Sequence, residues 1–240
     1  MKTNTISSCI KRGKNKRTTS LVTKWISGKK DRGTKRPKKG YPPPGFVLIT
    51  EMVNDAIVDL RYFTADNFTG APVRGYYAPH PILSIEAAKA LKKAADVLRE
   101  SGYLIVVYDT YRPIKAVQCF IEWVNDLDDP GNNRFFPGLT KKQILEHGYI
   151  DQYSTHSRGS AIDLGLCNRQ GKRIDMGTEF DFFGERSHLD AAVTPEQARN
   201  RMILQNAMLN AGFLPQANEW WHFRLEQEPY PDIYWDFDIR

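Results

Sequence analysis

The stretch STHSRGSAIDLGL, residues 154–166, places a histidine and an aspartate on either side of a glycine turn. Gly159 permits a tight turn after His156, and the alternating pattern that follows predicts a strand. Asp163 then lies on one strand face between two residues with almost no side chain, which leaves room for an ion beside its carboxylate. Imidazole and carboxylate supply two of the three protein ligands of a typical catalytic zinc site. The alternative for His156 and Asp163 is an ordinary hydrogen-bonded pair.

A third ligand must come from the other histidines, and two of these have structural explanations. His80 lies between prolines, and His147 falls in the last turn of a predicted helix, where a cation interacts favourably with the helix dipole. The remaining two end E-x-x-H strings, at residues 185–188 and 219–222. Each string can supply a metal ligand together with a general base, as in the zinc proteases. Spacing alone does not choose between the strings.

The surroundings of the two strings favour the second. Aromatic side chains next to Glu219 and His222 exclude water and strengthen electrostatic interactions, whereas Arg186 is typical of a solvated segment. In a regular strand, residues three apart face opposite sides. A bulge or a strand entry near Asn218 must therefore turn Glu219 toward the ion.

Several elements that position these residues follow from the hydrophobic periodicity. Ser84 caps a predicted helix that ends near Gly102 and has alanines and leucines on its apolar face. The apolar run at 104–108 predicts a strand that is buried on both faces. Pro113 suits the first turn of a second helix, whose apolar positions recur at intervals of three and four.

Two further helices begin at capping boxes led by Thr140 and Thr194 and end at Gly148 and Gly212. From residue 45 onward, strands and helices alternate irregularly without an internal repeat, which predicts one compact α+β unit. The sequence lacks a glycine-rich phosphate loop, and this counts against nucleotide chemistry.

The first 44 residues differ in composition from the rest. Residues 1–40 contain 14 Lys and Arg against the single acid Asp31, a net charge of +13, whereas the whole chain carries +6 and the remainder therefore −7. So basic a segment with few apolar residues cannot form a core, and we predict that 1–44 is a disordered extension of a 45–240 domain. Such extensions bind nucleic acid or anionic lipid through counterion release, but without aromatic interleaving or a nucleic-acid-binding fold no specific nucleic acid is expected.

The apolar segments and the cysteines of the sequence predict the compartment in which the protein acts. No run of about 18 apolar residues predicts a membrane span, and no apolar segment has the length of a secretory signal. Cys9, Cys119 and Cys167 are widely separated and odd in number, which argues against a disulfide framework and for a reducing compartment. We therefore expect a cytoplasmic protein.

Five motifs occur together in this sequence: DNFTG at 66–70, DTYRP at 109–113, STHSRGSAID at 154–163, MGTEFDF at 176–182 and EWWH at 219–222. In combination they resemble the zinc-dependent D-alanyl-D-alanine dipeptidases of the VanX type. The likeness extends from about residue 47 to the C-terminus and leaves residues 1–45 outside. It implies a mostly antiparallel sheet packed by helices, the architecture of the zinc D-Ala-D-Ala peptidases and of Hedgehog-like domains.

The resemblance also implies the roles of five residues. His156, Asp163 and His222 are expected to bind one zinc ion. Glu219 is expected to be the general base that activates water. Arg112 stands where the family stabilises the oxyanion that develops on the substrate.

Three more residues are implied to bind the charged ends of a dipeptide: Ser154, Asp181 and Tyr76. Alternatives exist for two of the implied roles. Arg112 can simply pair with a core carboxylate such as Asp109, and Asp181 can be a turn residue.

The resemblance implies an enzyme that hydrolyses the free dipeptide D-Ala-D-Ala to two D-alanines and rejects longer peptidoglycan chains. This chemistry is the same in glycopeptide resistance and in the recycling of D-alanine. Two alternatives are a muropeptide carboxypeptidase or endopeptidase of the same superfamily and, from another class, a nucleic-acid or surface-binding protein led by the basic extension. An open groove would favour the first alternative, and salt-sensitive DNA binding the second.

Overall fold

The computed structural model describes residues 41–240, so the predicted extension lies almost entirely outside the described residues. The helices are α1 (Ile49–Met52), α2 (Ile85–Glu100), α3 (Ile114–Asn125), α4 (Lys141–Glu146) and α5 (Pro195–Asn210). The strands are β1 (Phe46–Leu48), β2 (Ile57–Val58), β3 (Ile82–Ser84), β4 (Tyr103–Asp109), β5 (Ala161–Asn168), β6 (Phe213–Gln216) and β7 (Glu219–Leu225). Their buried side chains share one hydrophobic core. Within 41–240, no helix combines the length and the apolarity needed to cross a bilayer.

A five-stranded sheet in the order β2-β4-β5-β7-β6 forms the centre of the fold. The edge strand β2 pairs with β4 in parallel, and the other three pairings are antiparallel. Strands β1 and β3 form a separate antiparallel pair. The α+β class with a mostly antiparallel sheet is thereby confirmed.

The helices begin largely where the capping residues predict. Ser84 caps α2 by accepting a hydrogen bond from the Ala87 amide, and both predicted capping boxes are formed, at Thr140 and Thr194. One boundary differs: Pro113 is the N-cap of α3 rather than part of its first turn, because its ψ of 147° is extended. The predicted strand at 104–108 lies within β4, whose last five residues are all buried.

Residues 226–240, the C-terminal segment, run back across the domain to the turn that precedes β5. The Trp235 amide donates to the Ser157 carbonyl at 2.8 Å. In the same turn, Arg158 forms an ion pair of 2.5 Å with Glu228, whose side chain is almost fully buried. The C-terminal segment therefore braces this turn from outside the sheet.

Candidate active site

Three buried side chains converge from three different elements. His156 lies in the 3₁₀ turn Thr155–Arg158, Asp163 on β5 and His222 on β7. Gly159 ends the turn with a φ of +82°, and a Cβ at this position would clash with an aromatic ring, so β5 can follow directly only behind a glycine. In the register of β5 and β7, Asp163 is directly opposite His222. Strand pairing and the glycine turn thus bring the three side chains together.

The donor atoms of this cluster are close enough to share an ion. Nε2 of His156 lies 3.2 Å from Asp163, and Nδ1 of His222 lies 3.0 Å from the same carboxylate. One donor atom from each residue falls within 4.8 Å of the others. Nδ1 of His156 donates to the Thr110 carbonyl at 2.6 Å, which orients Nε2 toward the cluster, and Nε2 of His222 contacts the Thr155 hydroxyl at 3.2 Å. Two imidazoles and one carboxylate held in this way fit a catalytic metal ion with an open position.

Asp163 is charged although it is buried. Burial alone would raise its pKa, but the adjacent imidazoles of His156 and His222 hold the pKa well below its usual range. The Asp163 carboxylate is therefore ionised, as a metal ligand must be.

Glu219 faces the same cavity as His222 because β7 bulges. Between the pairs Pro215–Phe223 and Gln216–Glu219, three residues of β7 have no partner on β6. The carboxylate of Glu219 lies 3.9 Å from Nδ1 of His222. The irregularity required by the sequence near the start of this strand is present.

The environment of Glu219 suits a proton acceptor. Burial raises its pKa to about 7, an effect that His222 opposes and Asp163 reinforces. A general base works best when its pKa is near the operating pH.

Arg112 follows β4 and connects a buried carboxylate to the cavity. Its Nε donates to Asp109 at 2.9 Å, and its Nη2 lies 3.5 Å from Asp163. The guanidinium packs over the rings of Tyr62 and Phe120, at 5.1 and 5.2 Å from their centroids. The pairing with Asp109 that we considered as an alternative is present, yet the same guanidinium also lines the cavity.

The three candidate substrate-binding residues occupy different positions. Ser154 and Asp181 line the cavity, whereas Tyr76 is absent from its described wall and donates to Asp109 at 2.7 Å. Sequence reasoning missed Tyr62, which lines the cavity and donates to Asp181 at 2.9 Å. Tyr62 lies in a short turn outside all five motifs, so only the fold reveals its place.

Asp181 is, after Asp163, the second acid of the cavity that is buried. Its backbone has a φ of +61°, the left-handed region that favours glycine. Burial first, and then the charge of Asp163, raise its pKa well above the usual range. A cation that enters the cavity would stabilise the ionised form of Asp181.

The competing string at 185–188 lies apart from the metal cluster. Glu185 is exposed, and the 3₁₀ turn that it begins ends at Ser187. Nε2 of His188 hydrogen-bonds the Tyr149 hydroxyl at 3.1 Å. His188 therefore has a structural partner and no place in the cluster.

The cavity that these residues form has a volume of about 260 Å³. Its polar wall comprises the His-Asp-His cluster, Glu219, Arg112, Asp181 and Ser154, and its aromatic wall includes Tyr62, Phe120, Tyr149, Phe183 and Trp221. A cavity of this size suits a small polar molecule with one of its bonds next to the metal cluster and the base.

Comparison with known proteins shows the family of this chain. The sequence profile of the family described as Peptidase_M15, D-ala-D-ala dipeptidase, matches residues 43–240. The chain is similar to the D-alanyl-D-alanine dipeptidase of Enterococcus faecium, with 40% identity over 202 residues, 82% of this chain and 98% of the relative. It is 36% identical to that of Streptomyces coelicolor over 197 residues, 81% of this chain and 98% of the relative.

Among solved structures, the chain is similar to the VanY D,D-pentapeptidase of a VanB-type resistance cassette in complex with Zn(II). The TM-score is 0.41 at 17% identity, with 63% of this chain and 77% of that chain covered. A superposition this loose carries no argument about the site.

Proposed function

Since the chain belongs to the D-alanyl-D-alanine dipeptidase family, we propose that it hydrolyses the free dipeptide D-Ala-D-Ala to two molecules of D-alanine. The observation that carries this proposal is the convergence of a His-Asp-His cluster, a carboxylate with a pKa near neutrality and a guanidinium on one small cavity. Together these groups provide what metal-assisted hydrolysis of a peptide bond needs.

His156, Asp163 and His222 would hold one zinc ion per chain. The donor set of two imidazoles and one carboxylate leaves a fourth position open, as in catalytic zinc sites. When bound, zinc acts as a Lewis acid and lowers the pKa of water to about 7. The hydrogen bond from His156 to the Thr110 carbonyl keeps the ring in the tautomer that can bind the ion.

The proton and the developing charge are handled by the protein. Glu219 accepts a proton from the attacking water and returns it to the leaving amine. Arg112 donates to the oxygen of the scissile carbonyl as that oxygen becomes negative, and Asp109 keeps the guanidinium oriented for this contact. Tyr76 supports Asp109 in turn and does not touch the substrate.

The two ends of the dipeptide require opposite charges from the cavity. Asp181, held by the Tyr62 hydroxyl, pairs with the substrate ammonium. The Ser154 hydroxyl faces the other end and donates to the carboxylate. Leaving a buried polar group unpaired costs about 1–3 kcal/mol, and more when the group is charged, so a peptide with a blocked or extended end is rejected.

The test is the release of free D-alanine from D-Ala-D-Ala, measured with the metal removed by a chelator and again after zinc is restored. We expect release that the chelator abolishes and zinc recovers, and a metal content of one zinc per chain. N-acetyl-D-Ala-D-Ala and a muropeptide ending in D-Ala-D-Ala are the matched substrates. Equal hydrolysis of the muropeptide would replace this proposal with a carboxypeptidase, and release that is insensitive to the chelator would exclude the metal mechanism.

A further inference from the structure

The loop of residues 176–188, which we name the Asp181 loop, contains no strand and no α-helix. Its only regular element is the 3₁₀ turn Glu185–Ser187. Yet Asp181 occupies a left-handed conformation in this loop and aims a buried carboxylate at the cavity. A residue that is not glycine keeps such a conformation only where surrounding contacts impose it. The contacts that fix the Asp181 loop therefore help to determine where the Asp181 carboxylate lies in the cavity.

Both ends of the Asp181 loop are tied to one side chain on α5. Nε of Arg201 donates to the Met176 carbonyl at 2.7 Å, at the start of the loop. Its Nη1 donates to the His188 carbonyl at 2.8 Å and its Nη2 to the Arg186 carbonyl at 2.7 Å, at the end of the loop. One planar guanidinium thus closes the loop at its base.

Arg201 is 5% exposed, and all three of these acceptors are neutral carbonyls. Transferring a charged group from water into the protein interior is unfavourable. Hydrogen bonds to neutral carbonyls compensate for this cost less fully than an ion pair with a carboxylate does. A second contact ties the loop to the catalytic strand, because Trp220 on β7 donates to the Thr178 hydroxyl at 2.8 Å. The loop is therefore fixed at its base by Arg201 and, at Thr178, by the strand that carries Glu219.

We propose that Arg201 is a positioning residue for substrate recognition: it does not line the cavity, but by closing the Asp181 loop it holds the carboxylate that selects the free ammonium of the dipeptide. This inference rests on the proposed function, in particular on the pairing of Asp181 with the substrate ammonium. It predicts that a change at Arg201 acts on substrate binding through Asp181 and leaves the metal site loaded.

The variants are Arg201→Lys, which keeps the charge but not the planar fork, and Arg201→Met, which removes both. Lys141→Met is the matched control, since Lys141 is also a buried cation that donates to two backbone carbonyls, of Trp123 and Asp126, at 2.6 Å. Each full-length, zinc-loaded enzyme is assayed for KM and kcat with D-Ala-D-Ala, for zinc content and for thermal stability. We expect Arg201→Lys to raise KM by about 10-fold or more with kcat changed less, the effect of a misplaced binding group. Lys141→Met should lower Tm without this rise in KM.

A double-mutant cycle with Asp181→Asn separates positioning from general destabilisation. If Arg201 acts through Asp181, Arg201→Lys should lower kcat/KM in the wild type but cause no further loss in the Asp181→Asn background. Additive losses, a KM no higher than that of Lys141→Met, or unfolding of both Arg201 variants would overturn the inference. Its failure is distinct from failure of the proposed function, in which the wild type releases no D-alanine or Asp181→Asn itself has no effect.

Discussion

The segments at 185–188 and 219–222 have the same E-x-x-H pattern and opposite roles in the molecule. In the first, Glu185 is exposed, and His188 follows a 3₁₀ turn and bonds Tyr149. In the second, Glu219 and His222 belong to a bulged strand and face the cavity together. The pattern supplies a ligand and a base only where the backbone places them against a third group.

That third group is Asp163, and strand pairing decides which histidine meets it. The antiparallel register of β5 and β7 puts His222 directly opposite Asp163. His188 lies in a loop whose carbonyls are held by α5. The topology of the sheet, rather than the spacing of residues in the E-x-x-H pattern, therefore decides which histidine joins Asp163 in the cluster. Variants made in matched pairs test this.

The largest difference is expected between His222→Ala and His188→Ala. Loss of His222 removes one of three ligands, so stoichiometric zinc should be lost and kcat/KM should fall by about 10³-fold or more, since the metal contributes several kcal/mol to transition-state stabilisation. His188→Ala should keep its zinc and most of its activity. Zinc content and kinetics measured on the same samples decide this, and a demetallated His188 variant beside a zinc-loaded His222 variant would reverse the assignment.

The two glutamates should differ by about 100-fold or more in kcat. Glu219→Gln removes the proton acceptor but no metal ligand, so zinc stays bound while kcat drops by the amount expected of a general base. Glu185→Gln changes an exposed side chain and should be close to the wild type. Loss of zinc from Glu219→Gln would show instead that Glu219 is itself a ligand.

Arg112, on the same polar wall of the cavity as Glu219, sharpens the comparison further. Arg112→Ala should lower kcat by about 10²-fold with little change in zinc, because its bond to the oxyanion is strongest in the transition state. The variant also leaves Asp109 buried without its cation, which costs about 3–5 kcal/mol, so Arg112→Lys serves as the charge-retaining control. A folded Arg112→Ala enzyme with unchanged kcat would reduce Arg112 to the structural ion pair.

A smaller effect, chiefly on stability, is expected at the hydrogen-bond partner of His188, Tyr149. Tyr149→Phe removes the hydroxyl that bonds His188 and should lower the free energy of unfolding by about 1 kcal/mol. Tyr77→Phe, at a tyrosine that is 59% exposed, is the control and should cost less. Urea denaturation of the three proteins provides the measurement. If Tyr149→Phe loses zinc, the hydrogen bond between Tyr149 and His188 supports the metal cluster, and the contrast between the segments 185–188 and 219–222 is wrong.

The smallest effect is expected from deleting residues 1–40, which belong to neither segment and lie outside the family match. Any attraction between the +13 charge of this stretch and the rest of the chain is screened beyond about 8 Å at about 0.15 M salt. kcat/KM should therefore be unchanged, and any low-salt adhesion to DNA or anionic vesicles should disappear with the deletion. A more than tenfold loss of activity, on the scale of about 1.4 kcal/mol, would place these residues in the site.

The sequence predicted the elements that depend on local signals. The capping residue of α2, both capping boxes and the buried strand β4 follow from periodicity and side-chain hydrogen bonds within a few residues. The sequence predicts Pro113 one position too far into α3, because the fixed φ of proline suits both an N-cap and a first turn. The positions of Tyr62 and Tyr76 depend on contacts with Asp181 and Asp109, more than 30 residues away along the chain, and no local pattern contains that information.

The bracing of the His156 turn by the C-terminal segment has a consequence for how the protein is made. Because a chain emerges from the ribosome in sequence order, His156, Asp163 and His222 are all exposed before Glu228 and Trp235, which hold the turn through Arg158 and Ser157. We expect a nascent chain that has emerged only as far as residue 225 to carry all three ligands and still bind zinc weakly. Assembly of the metal site in this sense waits for residues 226–240, and a chain cut short after residue 225 should purify without its metal.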